Sequence, residues 1–398
     1  MMNDNLLASE RQESRLYYLA LLFSVLFLVR FVTLWEPYRD LAEIFRYFAW
    51  LFCSLVLLSS LSQYKPIHRL LIISFVLLSI FVGVNCDRLE FMFYSSSLMV
   101  GAKNIKYDNI IKVYFIIGLS FCLFNIIGNQ LGAIKDADYL DQSDRLEMLD
   151  DMFLRKSFGY DWCSDFASHV FLIILSYWIC KKGILKFYEI FVFIGIAFFI
   201  LIETGTRMAA ACIILVSISS LYCRYRNPQK ISKIVWYLLV LSTPFFLLLS
   251  LYLTLSYDDS DIEWLAVDVV MSGRLRLGQD AILEEGIPWL GQIFVMYGMG
   301  STLGGNEYNY VDNTYVQYLV VCGILATMVF VICYIIICYK AYLYKQLYLI
   351  MAVLLSGLFG IITQFHFNIA YCPLLLATCA TLDVKASDKG GDDNTINI

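Results

Sequence analysis

The chain has 398 residues, of which 60% are apolar, 16% aromatic and 16% charged, and its formal net charge at pH 7 is −5. Soluble domains are about 45–50% apolar and about 25% charged, and the mean hydropathy of +0.69 is too high for a protein that must keep its whole surface in water. The same figures exclude disordered, fibrous and nucleic-acid-binding proteins, and they predict a polytopic membrane protein.

Twelve apolar stretches are candidate membrane spans, because a helix needs about 20 apolar residues to cross the hydrocarbon core. In chain order they are 16–35, 43–62, 69–85, 89–101, 111–128, 166–180, 187–203, 208–223, 234–256, 315–338, 346–365 and 369–382. The fourth and the twelfth are short, so the sequence predicts ten to twelve spans. These stretches are too long and too uniformly apolar for barrel strands, and lipid requires internally satisfied backbone groups, so α-helices are expected.

The predicted fold class is an all-α polytopic membrane protein, a bundle of about 12 transmembrane helices with two long extracytoplasmic loops. A single membrane domain covers 1–383, and its outer loops are 129–165 and 257–314. Loops of this length are uncommon unless they are functional or disordered. The polar, Gly- and Asp-rich tail 384–398 is predicted to be disordered and cytoplasmic.

Lys and Arg in the connections between spans predict the orientation, because cytoplasmic connections carry an excess of both. With twelve spans and a cytoplasmic N-terminus, the short outer turns hold only Arg39, Arg88 and Arg207. The cytoplasmic segments hold Arg11, Arg15, Lys65, Arg69, Lys103, Lys106, Lys112, Lys181, Lys182, Lys186, Arg224, Arg226, Lys230, Lys233, Lys340, Lys345, Lys385 and Lys389. We therefore expect both termini on the cytoplasmic side.

The second long loop contains the signals of short helices. Ser272 is a predicted N-cap, 273–285 a predicted helix, Gly286 its C′ residue and Pro288 a stop signal. Upstream, apolar residues repeat at helical spacing, at Ile262, Leu265, Ala266, Val269 and Val270. We expect an amphipathic helix there that lies on the outer leaflet or caps the bundle.

Cations at the outer end of the bundle break the positive-inside pattern and are the first candidates for a binding site. Arg207 ends the sequence Glu203-Thr204-Gly205-Thr206-Arg207, at the outer mouth between two apolar helices. An arginine there costs a few kcal/mol unless it is paired or faces a water-filled cavity, so a functional role is the default hypothesis. The alternatives are a side chain that reaches to the interface and an ion pair with Glu203.

Two arginines begin the predicted loop helix, two positions apart. Such residues point about 200° apart around a helix and cannot easily share one ligand. Arg276 has the spacing of a surface ion pair with Asp280, which leaves Arg274 as the better ligand candidate. Arg155 and Lys156 are similar cations in the first loop, and a solvated face is the alternative for all of them. Several arginines at one face suit a diphosphate, because guanidinium binds phosphate in a bidentate, charge-assisted way.

The acidic residues of the outer loops give little support for a metal site. Carboxylates that hold a metal are the usual alternative for stabilising a diphosphate leaving group. Asp258-Asp259 and Glu284-Glu285 are paired acids, and Asp136-Ala137-Asp138 has the D-x-D spacing within an acidic run, but no D-x-D lies beside a predicted substrate groove. Most of these acids are expected on a solvated loop face, and the sequence predicts neither a metal nor another cofactor.

The segment Asp312-Asn313-Thr314-Tyr315 lies where the second loop re-enters the membrane. Its polar side chains can line a cavity at the outer interface, where an aspartate can take a proton from a sugar hydroxyl or orient that hydroxyl. The alternative is an N-cap, since Asp or Asn at a helix start satisfies free N–H groups. The two roles can coexist on neighbouring residues.

Five short motifs follow one another along the chain: Ala102-Lys103-Asn104-Ile105, Ser157-Phe158-Gly159-Tyr160, Thr204-Gly205-Thr206-Arg207, Ser272-Gly273-Arg274, and Asp312-Asn313-Thr314-Tyr315 followed by Gly323. In this order, and with many apolar spans and a large outer loop late in the chain, they resemble the bacterial O-antigen and capsular polysaccharide polymerases of the Wzy type. The resemblance covers most of the chain.

The resemblance implies a metal-independent membrane glycosyltransferase of O-antigen and lipopolysaccharide biosynthesis in the bacterial cytoplasmic (inner) membrane. Its donor is a growing glycan on undecaprenyl diphosphate, its acceptor is a lipid-linked repeat unit, and arginines offset the charge on the departing diphosphate. The implied catalytic residues are Asp312 and Arg274. The implied substrate-binding residues are Arg207, Arg276, Arg155, Lys156, Asn313 and Tyr315.

Two other functions stay open. An O-antigen ligase is similar in topology but carries a histidine beside the asparagine of the re-entry motif, where this chain has Val311 and Asp312, and the second loop contains no histidine. A lipid-linked oligosaccharide flippase is expected to show inverted repeats, broken helices and charges at mid-membrane, whereas the ionisable residues here lie near span ends. The resemblance also implies a chain-length regulator, a flippase and the lipid bilayer as partners, and no nucleic acid.

Overall fold

The computed structural model describes residues 12–24, 39–134, 155–160, 162–226, 231–298 and 308–382, with side chains from residue 44 onward in the second of these ranges. Over these residues the chain is helical without a β-strand, as the all-α prediction requires, and an isolated parallel bridge joins Lys106 to Thr381. The acidic pair Asp136 and Asp138, most of the first long loop and the predicted tail lie outside the described residues.

The described α-helices are numbered here in chain order. They are α1 (12–24), α2 (Arg39–Leu61), α3 (Pro66–Asn85), α4 (Leu89–Gly101), α5 (Tyr107–Gln130), α6 (Cys163–Cys180), α7 (Phe187–Thr204), α8 (Arg207–Tyr225), α9 (Lys233–Val240), α10 (Ser242–Leu255), α11 (Ile262–Val270), α12 (Arg274–Glu285), α13 (Thr314–Val321), α14 (Gly323–Leu343) and α15 (Leu347–Gly360). A 3₁₀ helix, Pro373–Thr378, follows α15.

Seven of the described helices are long and apolar enough to cross a membrane, namely α2, α3, α5, α6, α7, α8 and α14. The pair α9 and α10, bent by 54°, makes an eighth span if it is counted as one. Large apolar side chains such as Leu58, Phe191 and Leu238 are exposed on these helices, which is the arrangement expected of surfaces that contact lipid. The structure is therefore that of a helical, multi-pass membrane protein.

The predicted span 315–338 is divided into two helices at Gly323. This residue has a φ of +83°, and a Cβ on it would lie 2.6 Å from the backbone nitrogen of Gly291 and 2.8 Å from the carbonyl oxygen of Pro288. The carbonyl groups of Pro288 and Trp289 accept hydrogen bonds from the first N–H groups of α14, at 2.9 and 3.1 Å. The second loop packs on the break and supplies the partners that a helix N-terminus needs, and hydropathy carries no sign of this.

The predicted span 369–382 is not an α-helix in the structure. It consists of turns and the 3₁₀ helix Pro373–Thr378, and most of its side chains are buried. Side chains from neighbouring helices satisfy part of its backbone: Lys340 of α14 donates through Nζ to the carbonyl groups of Ala377 and Ala380, at 2.8 and 2.7 Å. Buried carbonyl groups need such partners. The apolar composition of this segment therefore reflects burial inside the protein.

Helices α8 and α15 pack against each other, and the contact at one end of the pair indicates that they run in opposite directions. At one end of the pair, a Cβ on Gly183 would meet both Tyr348 at the start of α15 and Cys223 near the end of α8. An α-helix rises about 1.5 Å per residue, so Arg207 at the start of α8 and Gly360 at the end of α15 both lie about 18–24 Å from this point, in the same direction. We call the end marked by Arg207 and Gly360 the loop end.

Candidate functional site

Arg274 and Asp312 form an ion pair at the loop end. The distance between Nη2 of Arg274 and Oδ2 of Asp312 is 3.4 Å, and the two side chains are 19% and 28% exposed. Arg274 also donates to the carbonyl group of Ile362, two residues after the end of α15. The start of α12, the segment before α13 and the segment after α15 therefore converge on one half-buried pair.

Helix α12 carries Arg274 at its first position. The helix covers Arg274–Glu285, within one residue of the predicted range 273–285. Its C-cap is Gly286, whose φ of +73° lies in a region that glycine adopts without strain. The predicted N-cap is wrong, because Gly273, and not Ser272, precedes the first helical residue. Gly273 has no side chain that could accept a hydrogen bond from the free N–H groups.

The N-terminus of α12 is closed instead by a side chain from α11. Oδ1 of Asp268 accepts hydrogen bonds from the backbone N–H groups of Leu275 and Arg276, at 2.8 and 3.3 Å. Asp268 itself is buried. A carboxylate at a helix N-terminus is favourable both for the free N–H groups and for the helix dipole. Asp268 therefore fixes the start of α12, and with it the position of the Arg274 backbone.

The guanidinium group of Arg274 is held but not saturated. Nε donates to the carbonyl group of Ile362 at 2.8 Å, and Nη1 donates to that of Met271 at 3.0 Å. The contact from Nη2 to Asp312 is 3.4 Å, longer than the 2.7–2.9 Å of a tight charge-assisted hydrogen bond. A guanidinium has five N–H donors, so one hydrogen on each terminal nitrogen has no partner among the described residues and is left for an anion.

Asp312 lies in an environment that makes it a better base than a carboxylate in water. Burial raises the pKa of the Asp312 carboxyl group above its ordinary value, and the positive charge of Arg274 opposes this rise. A general base works best when its pKa approaches the operating pH. Asp312 is thus suited to accept a proton from a hydroxyl group beside Arg274.

Asn313 and Tyr315 have partners within the protein. Asn313 is the N-cap of α13, and its side-chain oxygen accepts hydrogen bonds from the N–H groups of Tyr315 and Val316, at 3.0 and 3.2 Å. Tyr315 is fully buried, and its hydroxyl group donates to the carbonyl group of Gly357 at 3.0 Å. The N-cap interpretation of the re-entry motif is therefore correct for Asn313, while the carboxylate of Asp312 is not a cap and pairs with Arg274.

Three polar side chains that hold the segment just before Asp312 were not among the predicted site residues. Tyr310 donates to the side-chain oxygen of Gln364 at 2.6 Å, and the amide of Gln317 donates to the carbonyl group of Val311 at 3.1 Å and lies 3.4 Å from the same Gln364 oxygen. These bonds hold the chain immediately before Asp312. A glutamine inside the apolar run of α13 was the one signal in the sequence that points to this network.

A second group of cations surrounds the turn between α7 and α8. Lys156 forms an ion pair with Glu203, at 2.8 Å, and its backbone N–H donates to the carbonyl group of the same residue at 2.8 Å. The guanidinium of Arg155 lies over Gly205, where a Cβ would be 2.8 Å from Nε. Arg207 is exposed at the start of α8, and within the described part of the chain its side chain has no ion-pair or hydrogen-bond partner. Glu203 pairs with Lys156 there, not with Arg207.

The two groups of cations lie at the same end of the bundle. Arg207 begins α8 and the Arg274 guanidinium is bonded just beyond α15, and these two helices pack together. The two long loops also touch, because a Cβ on Gly298 would lie 3.2 Å from the ring of Trp162. The sequence-predicted cations thus gather on one face in two clusters, which share no hydrogen bond or ion pair among the residues that the structure describes.

Arg276 faces different surroundings from Arg274. An open cavity of about 440 Å³ is lined by Tyr257, Asp258, Asp259, Arg276, Gln279 and Asp280. The predicted ion pair between Arg276 and Asp280 is not among the ion pairs of the described residues, although both side chains line the cavity. Residues two apart on a helix point about 200° apart, and the two arginines accordingly serve different sides of α12.

The described residues contain no group of three or more His, Cys, Asp or Glu side chains placed to hold a metal ion.

Comparison of the chain with protein-family models, with curated proteins and with solved structures gave no match. The functional proposal therefore rests on the geometry of the loop end, where four of the five motifs lie, and on the resemblance that the motifs carry.

Proposed function

We propose that the protein is a membrane glycosyltransferase of the polysaccharide polymerase type. It transfers a growing glycan from undecaprenyl diphosphate to the non-reducing end of a lipid-linked repeat unit, at the outer face of the bacterial cytoplasmic membrane. One observation carries the proposal: a half-buried cation and a carboxylate, Arg274 and Asp312, meet at one end of a bundle of apolar helices. A diphosphate leaving group and a nucleophilic hydroxyl need these two charges side by side.

Arg274 holds the diphosphate of the donor. Its two remaining terminal N–H groups can bind two phosphate oxygens, a geometry that guanidinium provides and an ammonium group does not. The long contact with Asp312, 3.4 Å, costs little to loosen when an anion arrives. The bonds to Met271 and Ile362 keep the guanidinium in place while it exchanges this partner, which is the preorganisation that electrostatic catalysis requires.

Asp312 activates the acceptor. The hydroxyl oxygen of the acceptor sugar attacks the anomeric carbon of the donor, and its proton passes to the Asp312 carboxylate. The bond between the anomeric carbon and the diphosphate oxygen breaks, and its electron pair stays on the diphosphate beside Arg274. The burial that raises the pKa of Asp312 brings its basicity closer to what this proton transfer needs.

Both substrates are lipid-linked, so two diphosphates must be held at one membrane face. We assign the second one to the cluster formed by Arg155, Lys156 and Arg207, where two of the three cations have no carboxylate partner among the described residues. Arg276 and its cavity are assigned to sugars of the bound chains. Asn313 and Tyr315 act by holding the start of α13, and thereby Asp312, in position.

The orientation belongs to the same proposal: ten to twelve membrane crossings, not all of them α-helices, with both termini in the cytoplasm and the loop end outside. Basic residues at the opposite end of the bundle support this orientation. Lys182 and Arg224 lie together there, Lys182 in an ion pair with Asp108 and Arg224 in a hydrogen bond to the carbonyl group of Leu185. Basic residues mark the cytoplasmic side. A chain-length regulator and a flippase are the partners that the reaction calls for.

The test is complementation of a strain that lacks the chain, with lipopolysaccharide separated by gel electrophoresis. Arg274→Ala and Asp312→Asn are expected to reach normal protein levels and to leave only a single repeat unit on lipid A core. Arg226→Ala is the matched control, because Arg226 is an exposed arginine just beyond the far end of α8, and it should give the full ladder.

The same experiment separates the alternative functions. Wild-type ladders in both loop-end variants would contradict the assignment of Arg274 and Asp312. Loss of even the single-repeat band would identify a ligase. Lipid-linked repeat units retained on the cytoplasmic face would identify a flippase.

A further inference from the structure

Helix α11 presents apolar side chains to the outside along its length. Ile262, Val269 and Val270 are 82%, 77% and 80% exposed, and Leu265 and Val267 are exposed as well. The helix has nine residues, Ile262–Val270. An apolar surface of this density is unfavourable in water and marks a site of contact with another apolar phase.

The polar groups of α11 are placed where they do not interrupt this surface. Asp268 is buried on the side facing α12 and is used there as a helix cap. Asp261 is the N-cap of α11, and its side chain accepts a hydrogen bond from the N–H of Glu263 at 2.8 Å. Charge is therefore confined to the first turn and to the inner side, and the outer side is apolar.

Lipid is the partner that fits this surface. Helix α10, which precedes α11 in the chain, exposes Leu248, Tyr252 and Leu255, and it is the second half of the bent pair that makes an eighth span if it is counted as one. Only six residues separate the two helices, so α11 begins just beyond the end of a helix whose outward side chains are apolar. Helix α11 carries no Lys or Arg, so burial of apolar area, and not attraction to anionic headgroups, would hold it.

We infer that α11 lies in the plane of the membrane interface, with Ile262, Val269 and Val270 among the acyl chains. Through Asp268 it then fixes the depth of the start of α12, where Arg274 lies one to two residues from the capped N–H groups. On the proposed function, this arrangement holds the ion pair at the level where a lipid-linked phosphate group lies. The exposed apolar face of α11 thus sets the depth of the site in the membrane.

The test measures the depth of α11 in the purified full chain reconstituted in phosphatidylcholine vesicles. A p-acetylphenylalanine residue is introduced at Val269 or Val270 and coupled to a nitroxide, which avoids the twelve native cysteines. Collision with oxygen, which concentrates in lipid, is compared with collision with a water-soluble nickel chelate. Asp259, exposed in the turn just before α11, is the matched control position.

Oxygen collisions are expected to exceed nickel collisions at Val269 and Val270, with the reverse order at Asp259. Adding anionic lipid should leave the Val269 ratio unchanged, since α11 has no cation. Nickel collisions at Val269 as frequent as at Asp259 would place α11 in water and overturn the inference. Shielding from both reagents would indicate a protein contact and would overturn it too. No activity is measured, so the result is independent of the proposed reaction.

Discussion

The carboxylate of Asp268 accepts a 2.8 Å hydrogen bond from the backbone N–H of Leu275. This bond joins the last turn of α11 to the first turn of α12. It lies one residue from Arg274, so the same carboxylate that closes a helix also positions the arginine of the candidate site.

Replacing Asp268 by alanine should therefore destabilise the protein and weaken the site together. Loss of an N-cap costs about 0.5–2 kcal/mol, and the midpoint of thermal unfolding in detergent should fall accordingly. Asp268→Asn keeps an acceptor oxygen and should recover most of the stability. Asp259→Ala, at an exposed position in the same loop, should leave the midpoint unchanged. Equal midpoints for Asp268→Ala and Asp259→Ala would show that the cap contributes nothing.

A methyl group at Gly323 should damage the junction between α13 and α14. The new Cβ would stand 2.6 Å from the nitrogen of Gly291 and 2.8 Å from the carbonyl oxygen of Pro288, both of them backbone atoms. The φ of +83° adds strain for any side chain. Gly323→Ala is expected to lower the free energy of unfolding by about 1–3 kcal/mol or more. The midpoint of thermal unfolding should fall with it.

Gly195→Ala is the control for this substitution, because a Cβ on Gly195 meets nothing within 4 Å. Gly195 lies inside α7, where alanine is the better helix former, so its midpoint should stay the same or rise slightly. Similar midpoints for the two glycine variants would mean that the loop does not pack on the break.

Local patterns were sufficient to predict α12. The stop signals Gly286 and Pro288 gave a range within one residue of Arg274–Glu285, because a C-terminal glycine and a following proline act on the neighbouring backbone itself. The separation of Arg274 from Arg276 followed from helix geometry in the same way. Apolar spans were likewise recognisable, since lipid contact and burial both require apolar side chains.

Contacts between distant segments could not be predicted. Asp268 caps a helix through an N–H group that is seven residues away, and Gln364, beyond α15, accepts a hydrogen bond from Tyr310 in the segment before Asp312. Neither contact has a local signature. Hydropathy also cannot distinguish a span from a buried irregular segment, so 369–382 was predicted to be a helix although Lys340 and other side chains satisfy its backbone. The break at Gly323 has the same origin, in a loop that packs on it.

Double-mutant cycles should separate the two cation clusters. Arg155 and Arg207 flank Gly205 at one turn, so on the proposed function they bind one diphosphate and their substitutions should not be additive. Arg207 and Arg274 belong to different clusters and different diphosphates, so their losses in kcat/KM should add. Arg155→Ala and Arg207→Ala are each expected to lose about tenfold, or about 1.4 kcal/mol, and Arg274→Ala is expected to lose more, because it removes the cation beside the leaving group.

The measurement for these cycles is chain elongation in vesicles that contain the lipid-linked repeat unit. Arg226→Ala serves as the control, and thermal midpoints should stay constant because Arg155 and Arg207 are exposed. Additive losses for Arg155→Ala and Arg207→Ala would show that the two arginines bind separately, and strong coupling of Arg207 with Arg274 would place them on one diphosphate.

The protonation of Asp312 should depend on Arg274. Burial raises the pKa of the Asp312 carboxyl group and the guanidinium lowers it, so Arg274→Gln, which removes the charge, should move the pKa further up. The folded protein then holds this proton more tightly than the unfolded chain does. The contribution of Asp312 to stability therefore falls as the pH rises from the ordinary carboxyl value of 3.8 through the raised one.

Infrared titration of the carboxyl C=O band tests this directly, with the band assigned by its absence in Asp312→Asn. The midpoint in the unmodified protein should lie above 3.8, and the midpoint in Arg274→Gln should lie higher again. Arg276→Gln is the matched control. The Arg276 side chain faces the cavity on the other side of α12, so the midpoint of Asp312 in this variant should stay near that of the unmodified protein. A midpoint that does not respond to Arg274→Gln would mean that the guanidinium charge, at 3.4 Å, has no effect on the pKa of the Asp312 carboxyl group. Asp312 and Arg274 would then act on the substrate independently.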